Sequence, residues 1–390
     1  LVTQRVMGLA LGYEDLTDHD ELRRDTLFSA LVGKSDLSLP AGKSTLNRLE
    51  LTEESSSSAD RYKKIEMDMD VVDWLFVDTF LKAHDEPPKE IVIDLDATDD
   101  PLHGKQEGRF FHGYYGHYCY LPLYIFCGEH LLVARLRVAD QDGAAGSVEE
   151  LERIIAQIRE VWPDTRIIIR GDSGFCREDL MVFCEERGLL YVLGFARNDR
   201  LTRMIEDAMD EARKIHEETE EPARVFKELT YRTRSTWSAE RRVVAKAEYL
   251  PGKANPRYIV TNISEEEMDG KTLYEDLYCA RGDMENRIKE QQLYLFATRT
   301  SAKTMRANQI RLYFSSVAYL LLHAIRRLAL EGTELAKAQC HTIRTKLLKI
   351  GARIRVTARK IWVSMAGGYP YQQLFALVHR RLDRLKPLPV

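Results

Sequence analysis

The sequence predicts an α/β protein in which helices cover a mixed β-sheet. The first observation is the length, since 390 residues can bury a full core and form two or more domains, or one domain with large insertions. The second is a series of three strand-like segments that begins at residue 90. The third is the alternation of strands with helices after those segments, which is typical of sheets covered by helices.

Residues 1–86 are expected to form a helical N-terminal region. Apolar residues recur at helical spacing within 26–31 and 65–81. Pro87 and Pro88 follow directly, and proline interrupts a helix. The helical region therefore ends before the first strand.

Three segments are expected to pair as an antiparallel meander, because they are rich in β-branched and aromatic residues and bounded by turn residues. They are 90–98, 112–126 and 131–138. The next elements are a helix at 147–161, a strand at 164–170, a helix at 178–187 and a strand at 190–195. This order resembles the ribonuclease-H-like fold used by polynucleotidyl transferases.

The remaining chain predicts a β-rich insertion and a helical C-terminal region. A charged helix at 201–221 precedes short strands at 225–231, 241–249 and 257–262, and helices follow at 272–292, 307–330 and 336–350. The expected division is a helical N-terminal region (1–86), a first part of the catalytic core (87–200), the insertion (201–257), a second part of the core (258–330) and a basic C-terminal region (331–390).

Charge is distributed unevenly along the chain. The net charge is −4, but residues 301–390 contain 17 Lys and Arg residues against Glu331, Glu334 and Asp383, which is +14 and leaves −18 for the remainder. A concentrated positive field favours a polyanionic partner such as nucleic acid. The alternative is a basic helical surface without a partner.

Several protein classes are disfavoured by the sequence. The six cysteines form no C-x-x-C pair, so neither a zinc ribbon nor a redox dithiol is expected, and a reduced cytoplasmic setting follows. The best apolar run, 312–325, is too short to span a membrane. The chain begins with Leu1 and not Met, so we expect it to be a fragment of a longer protein that has an earlier segment.

One helical stripe carries an unusual set of side chains. Tyr278, Arg281, Glu285 and Lys289 follow at steps of three, four and four residues, which places them on one helix face. Such a stripe suits contact with a phosphate backbone beside a metal ligand. The alternative is a solvated ladder of i,i+4 charge pairs.

Two further carboxylates are candidates for chemistry at strand ends, where ligands collect in open α/β sheets. Asp172 follows the apolar segment 166–170, although it also suits a helix cap. Asp94 and Asp96 alternate onto one face of the first strand, and periodicity does not choose between them. The neighbouring acids, Asp99 and Asp100, also suit turn or capping positions.

Three other sites are disfavoured. The segment Gly42-Lys43-Ser44-Thr45 lacks the first glycine of a P-loop and is interpreted as a helix N-terminus. The histidines at positions 103, 112 and 117 match no helical metal motif. Ser173 lacks a G-x-S-x-G elbow, because position 175 is Phe.

These residues resemble the motifs of bacterial insertion-sequence DDE transposases of the cut-and-paste type, closest to the insertion sequence 1380 group. Asp96-Ala97-Thr98-Asp99 is similar to the first motif, which favours Asp96, and Arg170-Gly171-Asp172-Ser173-Gly174-Phe175 is similar to the second. Tyr278, Arg281 and Glu285 match the third, Tyr-x-x-Arg-x-x-x-Glu, whose usual final Lys is Gln292 here. The resemblance spans 90–330, and the second and third acids follow the preceding one by 76 and 113 positions.

The resemblance implies a mechanism. Asp96, Asp172 and Glu285 would bind two Mg²⁺ ions, with Mn²⁺ able to substitute, for cleavage of transposon ends and attack of their 3′-hydroxyls on target DNA without a covalent enzyme intermediate. The DNA contacts implied are Tyr278, Arg281, Lys289 and the insertion residue Trp237, the last as a platform for a flipped base or else as a core aromatic.

The implied partners are double-stranded DNA, as terminal inverted repeats and target, and a second copy of the chain in a synaptic dimer at the bacterial nucleoid. Two alternatives stay open at this point. One is an inactive or truncated transposase that only binds DNA, which the lack of a clear helix-turn-helix in residues 1–86 favours. The other is a cellular nuclease of the same fold.

Overall fold

The computed structural model of the protein describes residues 1–34, 36–52, 66–357 and 360–385. The chain divides into two compact units. The first comprises Leu1–Val72, Asp100–Tyr120 and Arg287–Val390, and the second comprises Asp73–Asp99 and Leu121–Asn286. Among the described residues, no helix has the length and apolar character needed to cross a bilayer.

The helical elements are α-helices and a few short 3₁₀ or π-helical turns. The α-helices are α1 (Val2–Ala10), α2 (His19–Leu22), α3 (Thr26–Leu31), α4 (Lys43–Glu50), α5 (Met69–Leu81), α6 (Ser147–Val161), α7 (Glu178–Glu186), α8 (Asp199–Met204), α9 (Glu206–Thr219), α10 (Gly270–Thr272), α11 (Gly282–Lys289), α12 (Met305–Ala329), α13 (Cys340–Ile343) and α14 (Gln372–Asp383). Single 3₁₀ turns lie at Leu16–Asp18 and Cys279–Arg281, and π-helical turns lie at Leu273–Tyr278, Glu290–Tyr294 and Arg344–Leu348.

In the part of the chain that the structure describes, the strands form three sheets. They are β1 (Glu90–Ala97), β2 (Asp100–Pro101), β3 (Phe110–His112), β4 (His117–Tyr120), β5 (Leu123–Cys127), β6 (His130–Arg135), β7 (Arg166–Gly171), β8 (Leu190–Phe195), β9 (Ala223–Tyr231), β10 (Arg241–Leu250), β11 (Lys253–Ala254), β12 (Arg257–Thr261), β13 (Ala352–Val356) and β14 (Ile361–Met365).

A large mixed sheet forms the second unit. Its order is β11-β10-β12-β8-β7-β1-β5-β6, and β9 pairs with β10. Strands β1, β7 and β8 are parallel to one another, whereas β5 and β6 continue from β1 as an antiparallel meander. The mixed α/β class predicted from the sequence is thus confirmed.

Strand alternation divides the apolar side chains between the two faces of this sheet. Ile167 and Ile169 of β7 belong to a core that also includes side chains of α5, α6 and α7. Ile168, between them, packs on the opposite face with Leu273 of the π-helical turn Leu273–Tyr278. We call this second face, which also carries Val92 and Val192, the Leu273 face.

The first unit contains the long helix α12, which contacts α1, α4 and α14. Two buried glutamates each join distant segments of this unit through arginines. Glu50 pairs with Arg5 and Arg311, both at 2.7 Å, and Glu290 pairs with Arg326 at 3.3 Å. Burying these charges is tolerable because each is paired.

Several predicted elements differ from the structure. The single strand expected at 112–126 instead covers the last residue of β3, all of β4 and most of β5. Gly116 turns the chain with a φ of 74°, and Pro122 lacks the amide hydrogen that a continuous strand needs. The helix expected at 201–221 breaks at Ile205 into α8 and α9. The helix expected at 336–350 is limited to α13 and one π-helical turn, and it is followed by strands β13 and β14, which the sequence did not predict.

Other predicted elements differ less from the observed ones. The helix expected at 65–81 is α5, which begins at Met69, and residue 65 lies outside the described residues. The strands of the expected insertion are not separate from the sheet, since β12 pairs with both β8 and β10. The domain division drawn from the sequence stays a prediction.

A buried arginine joins two strands of the sheet to the helical segment that covers them. Arg170 of β7 donates to both carboxylate oxygens of Asp94 on β1, with Nε–Oδ1 at 2.5 Å and Nη2–Oδ2 at 2.8 Å. Its Nη1 donates to the backbone carbonyl of Leu277. Asp94 and Arg170 are only 3% and 6% exposed, so water does not compete for these bonds.

Gly194 of β8 allows the closest approach between the sheet and this helical segment. A Cβ atom at position 194 would lie 2.6 Å from the Tyr278 hydroxyl oxygen and 2.8 Å from the Ser173 backbone nitrogen. Both distances are shorter than van der Waals contact. The absence of a side chain at this position therefore lets Tyr278 and the turn after β7 lie against β8.

We predict that Asp94→Asn lowers the free energy of unfolding by about 3–5 kcal/mol, because it leaves the Arg170 charge buried without its counter-charge. Urea denaturation followed by circular dichroism measures the change. The control is Asp142→Asn, which breaks the exposed pair with Arg177 and should cost less than about 1 kcal/mol. Equal losses in the two variants would contradict the structural role of the buried pair.

We predict that Gly194→Ala destabilises the protein by about 1–3 kcal/mol, since the new methyl group overlaps Tyr278 and the backbone of Ser173. Gly282→Ala is the matched control, because a Cβ atom at Gly282 meets open space within α11. Alanine is favoured over glycine within a helix, so this control should be neutral or stabilising. Thermal unfolding of the two variants provides the comparison, and a neutral Gly194→Ala would disprove the close approach.

Candidate active site

The register of two parallel strands brings Asp96 and Asp172 side by side. Leu95 of β1 pairs with Gly171 of β7, and the two aspartates are the next residues along each chain. Neighbouring strands lie about 4.8 Å apart. Alternation from Val92 places Asp96 on the Leu273 face. Both carboxylates thus lie at the C-terminal ends of parallel strands, where open α/β sheets bind ligands.

Asp94 and Asp96 share that face but differ in their hydrogen bonds. Both carboxylate oxygens of Asp94 accept hydrogen bonds from Arg170, so this residue is part of the structural link between β1 and β7. Asp100 is also structural, because it is 2% exposed and accepts a hydrogen bond from Thr300 at 3.4 Å. Hydrogen bonding therefore distinguishes Asp94 from Asp96, which strand periodicity alone does not.

Residues next to Asp172 in the sequence stabilise the turn that carries it. Asp172 Oδ1 accepts a hydrogen bond from the Gly174 backbone at 2.8 Å, and Phe175 is buried at 1% exposure. A Cβ atom at Gly171 would lie 3.0 Å from the Phe175 Cβ atom. The small residue before Asp172 and the aromatic after it therefore orient the carboxylate.

The third group of side chains lies on an irregular helical segment. Tyr278 ends a π-helical turn, Arg281 ends a 3₁₀ turn, and Glu285 lies in α11. Such departures from α-helical geometry are frequent at functional sites. Arg281 Nη2 lies 3.5 Å from Glu285 Oε1. Lys289, the last residue of α11, is exposed and belongs to the first unit.

Electrostatic interactions couple the three predicted carboxylates. Burial is the main cause that raises the pKa of Asp96 to about 7; the charge of Arg281 opposes this shift, and the charges of Asp172 and Glu285 add to it. Burial disfavours the charge on Arg281, but Asp96, Tyr278, Asp172 and Glu285 outweigh it and raise the pKa of Arg281. The structure thus brings these five side chains into one electrostatically coupled group.

The donor set suits a hard divalent cation. Carboxylate oxygens are the ligands that Mg²⁺ prefers, and a cation would relieve the repulsion that helps raise the pKa of Asp96. Across the described ranges, however, no group of three or more His, Cys, Asp or Glu side chains is close enough to hold a metal ion. The three side chains are therefore suitable metal ligands by type, but they are not close enough together to form a metal site in this conformation.

Trp237 lies in the core of the second unit. It is 4% exposed, and its ring lies 4.9 Å from that of Phe195 and 5.8 Å from that of Tyr231. The guanidinium of Arg241 lies over it at 5.5 Å. This conformation favours the core interpretation, and stacking of Trp237 on a DNA base stays a prediction.

The sequence analysis missed three residues that shape the site: Arg170, Gly194 and Arg257. Burial raises the pKa of Tyr278, and the positive charges of Arg281 and Arg257 oppose that shift. Arg257 also lines a cavity of about 130 Å³, whose other residues include Ser173, Gly194, Arg197, Tyr274 and Tyr278. Arg170 lies within a recognised motif, but its role depends on a strand register that the sequence alone does not reveal.

The raised pKa of Asp96 predicts a pH-dependent stability. In the unfolded chain Asp96 ionises near its ordinary value of 3.8, whereas in the folded chain it stays protonated up to about pH 7. Between these two pH values Asp96 is ionised in the unfolded chain but protonated in the folded chain, so an increase in pH destabilises the fold. Asp96→Asn should match the parent protein at pH 4 and exceed it by about 2 kcal/mol at pH 8.

Urea unfolding in the presence of EDTA measures this difference. The control is Asp179→Asn, which changes an exposed carboxylate at the start of α7 and should not reproduce the gain in stability at pH 8. A constant effect of Asp96→Asn across the pH range would contradict the proposed environment of this carboxyl.

Comparisons with known proteins identify the family. A search of curated proteins gives no match. Among solved structures, the chain is similar to a piggyBac transposase in a synaptic complex with hairpin DNA, at 12% identity and a TM-score of 0.45, over 99% of this chain and 72% of that one. The family model described as transposase DDE domain group 1 matches residues 1–387. The chain therefore belongs to this family and is a DDE-type DNA transposase.

Proposed function

We propose that this transposase cleaves transposon ends and joins their 3′-hydroxyls to target DNA with Asp96, Asp172 and Glu285 as the catalytic carboxylates. The observation that carries the proposal is the coupling of the three groups, since Asp172 and Glu285 both act on the pKa of Asp96. A buried carboxyl with a strongly raised pKa, close to charged groups from separate elements, is typical of functional sites. Asp94 is not proposed, because Arg170 engages both of its oxygens.

Members of this family generally use divalent metal ions, and we propose two Mg²⁺ ions here, with Mn²⁺ as a substitute. Asp96, Asp172 and Glu285 would hold them. Bound in this way, the ions would activate the attacking oxygen and stabilise the leaving oxygen of phosphoryl transfer. The half-exposed Glu285 side chain, at 47%, can adjust more readily than the two aspartates at strand ends.

Tyr278, Arg281 and Lys289 are proposed to bind the DNA backbone. Arg281 keeps its charge, because the surrounding carboxylates raise its pKa, and a guanidinium binds phosphate through two hydrogen bonds. Tyr278 is held against Gly194, so its hydroxyl has a defined position. Lys289 is exposed one helical turn after Glu285, and it is proposed to replace the cation usually found at position 292.

The large mixed sheet is proposed to be ribonuclease-H-like. Support comes from the order of its elements, in which β1, β5 and β6 are followed by α6, β7, α7 and β8. We further propose that the chain acts as a homodimer in a synaptic complex, located at the nucleoid of a bacterial cell. These proposals extend the family assignment to the architecture and setting of the reaction.

The double-stranded DNA partner is supported by the basic C-terminal region. Strands β13 and β14 form a hairpin in which Arg353, Arg355 and Lys360 are exposed. Arg355 and Lys360 lie over the exposed ring of Trp362, at 5.5 and 5.8 Å. Such cations bind phosphates and release counterions, so we expect DNA affinity to fall steeply with salt.

A cleavage assay tests the proposed chemistry. The protein is incubated with Mg²⁺ and DNA that carries candidate terminal inverted repeats, and cleavage and strand joining are quantified. Asp172→Asn should lower the rate of cleavage by at least about a hundredfold, because each 1.4 kcal/mol of lost transition-state stabilisation costs about tenfold. Asp179→Asn is the control, since this exposed carboxylate lies on α7 outside the coupled group.

Two outcomes would overturn the proposal. DNA binding without cleavage by the parent protein would indicate a transposase that only occupies DNA ends. Cleavage that ignores the repeats would indicate a general nuclease instead.

A further inference from the structure

The hairpin formed by β3 and β4 displays an unusual concentration of exposed aromatic side chains. Phe110 is 45% exposed, Phe111 50%, Tyr114 87% and Tyr118 42%. Tyr114 lies at the turn between the two strands. We call residues 109–118 the aromatic hairpin. Its exposed rings have no role in the chemistry proposed above and require an explanation of their own.

The hairpin is a fixed structure. Phe111 pairs with Tyr118 across the two strands, and Gly116 donates its backbone hydrogen bond to His112 at 2.9 Å. The base is anchored by Tyr120, which is fully buried and whose hydroxyl donates to the Glu107 carbonyl at 2.5 Å. The aromatic rings are thus held in solvent by a supporting framework, and little conformational entropy remains to be lost on binding.

The aromatic pairs that include Phe111 and Tyr114 are edge-on. Phe111 and Tyr118 lie 5.5 Å apart with an interplanar angle of 78°, and Tyr114 and Tyr115 lie 5.0 Å apart at 86°. Perpendicular rings do not cover one another in a parallel stack. Together with their high exposure, this geometry leaves Tyr114 and Phe111 able to stack with a flat partner.

The charge around the rings restricts the partner. No Asp or Glu occurs between Glu107 and Glu129 in the sequence. The guanidinium of Arg109 lies 3.7 Å from the centre of the Tyr118 ring. Aromatic rings interleaved with cations, without carboxylates, are the combination that binds single-stranded nucleic acid.

We propose that the aromatic hairpin binds unpaired DNA bases by stacking on Tyr114 and Phe111, with Arg109 beside the phosphate backbone. The proposal rests on the DNA transposase function and is independent of the three carboxylates, which lie in the other unit. Bases within a duplex already stack on one another, so exposed ring faces favour a strand whose bases are open. The hairpin would then hold a DNA segment that strand separation or cleavage has opened.

Equilibrium binding of the full chain to single-stranded DNA tests the proposal. Fluorescence anisotropy with a labelled oligothymidine of about 20 nucleotides is measured in EDTA, so catalysis does not contribute. Tyr114→Ala combined with Phe111→Ala should weaken binding by about fivefold to a hundredfold. The matched control is Trp74→Ala, which removes a 51% exposed aromatic from α5 and should leave affinity unchanged.

Single substitutions at position 114 separate stacking from apolar contact. Tyr114→Trp should retain or strengthen binding, whereas Tyr114→Leu should weaken it, because only an aromatic ring stacks on a base. Duplex DNA of the same sequence should lose less affinity than the single strand. Circular dichroism spectra of the variants confirm that they fold.

Three results would overturn the proposal: unchanged affinity of the double variant, equal losses for single strand and duplex, or a shift from dimer to monomer in sedimentation without loss of DNA binding. The last result would assign the hairpin to contact with a second copy of the chain. The binding assay contains EDTA and measures affinity alone, so a failure here is distinguishable from a failure of the proposed catalytic site, which the cleavage assay tests.

Discussion

The buried pair between Asp94 and Arg170, with the bond from Arg170 to the Leu277 carbonyl, is the interaction on which the arrangement of the site depends. It fixes β1 against β7 and attaches both to the segment that carries Tyr278, Arg281 and Glu285. A buried ion pair contributes little net stability relative to apolar residues of similar size, and this pair joins β1 to β7 in the register that aligns Leu95 with Gly171. A shift of one residue would move Asp96 to the opposite face of the sheet.

The site also concentrates charge that the fold must tolerate. Burial and the negative charges of Asp172 and Glu285 disfavour ionisation of Asp96, and Arg281 only partly compensates. Such destabilised groups are common where activity requires them, and the apolar cores on both faces of the sheet offset their effect. Arg281 is coupled to all three carboxylates and also suits a DNA phosphate, so it links charge balance in the free protein to the proposed contact with substrate.

Much of the site could be predicted from the sequence, because strand alternation and helical spacing are local properties. Asp172 and Glu285 were placed by their positions at a strand end and on a helix face. The choice of Asp96 over Asp94 could not be made in that way, since the two share a face and differ only in the partner that the register of β7 supplies. The hairpin of Phe110–His112 and His117–Tyr120 was not predicted, because the expected strand began at residue 112 and continued through the turn at Gly116.

Anomalous diffraction from crystals of the protein with Mn²⁺ and a transposon-end duplex would locate the metal ions directly. We expect two Mn²⁺ peaks bound by Asp96, Asp172 and Glu285, with Asp94 still paired to Arg170. Metal peaks bound by Asp94, or peaks that do not contact Asp96, would contradict the assignment of these carboxylates.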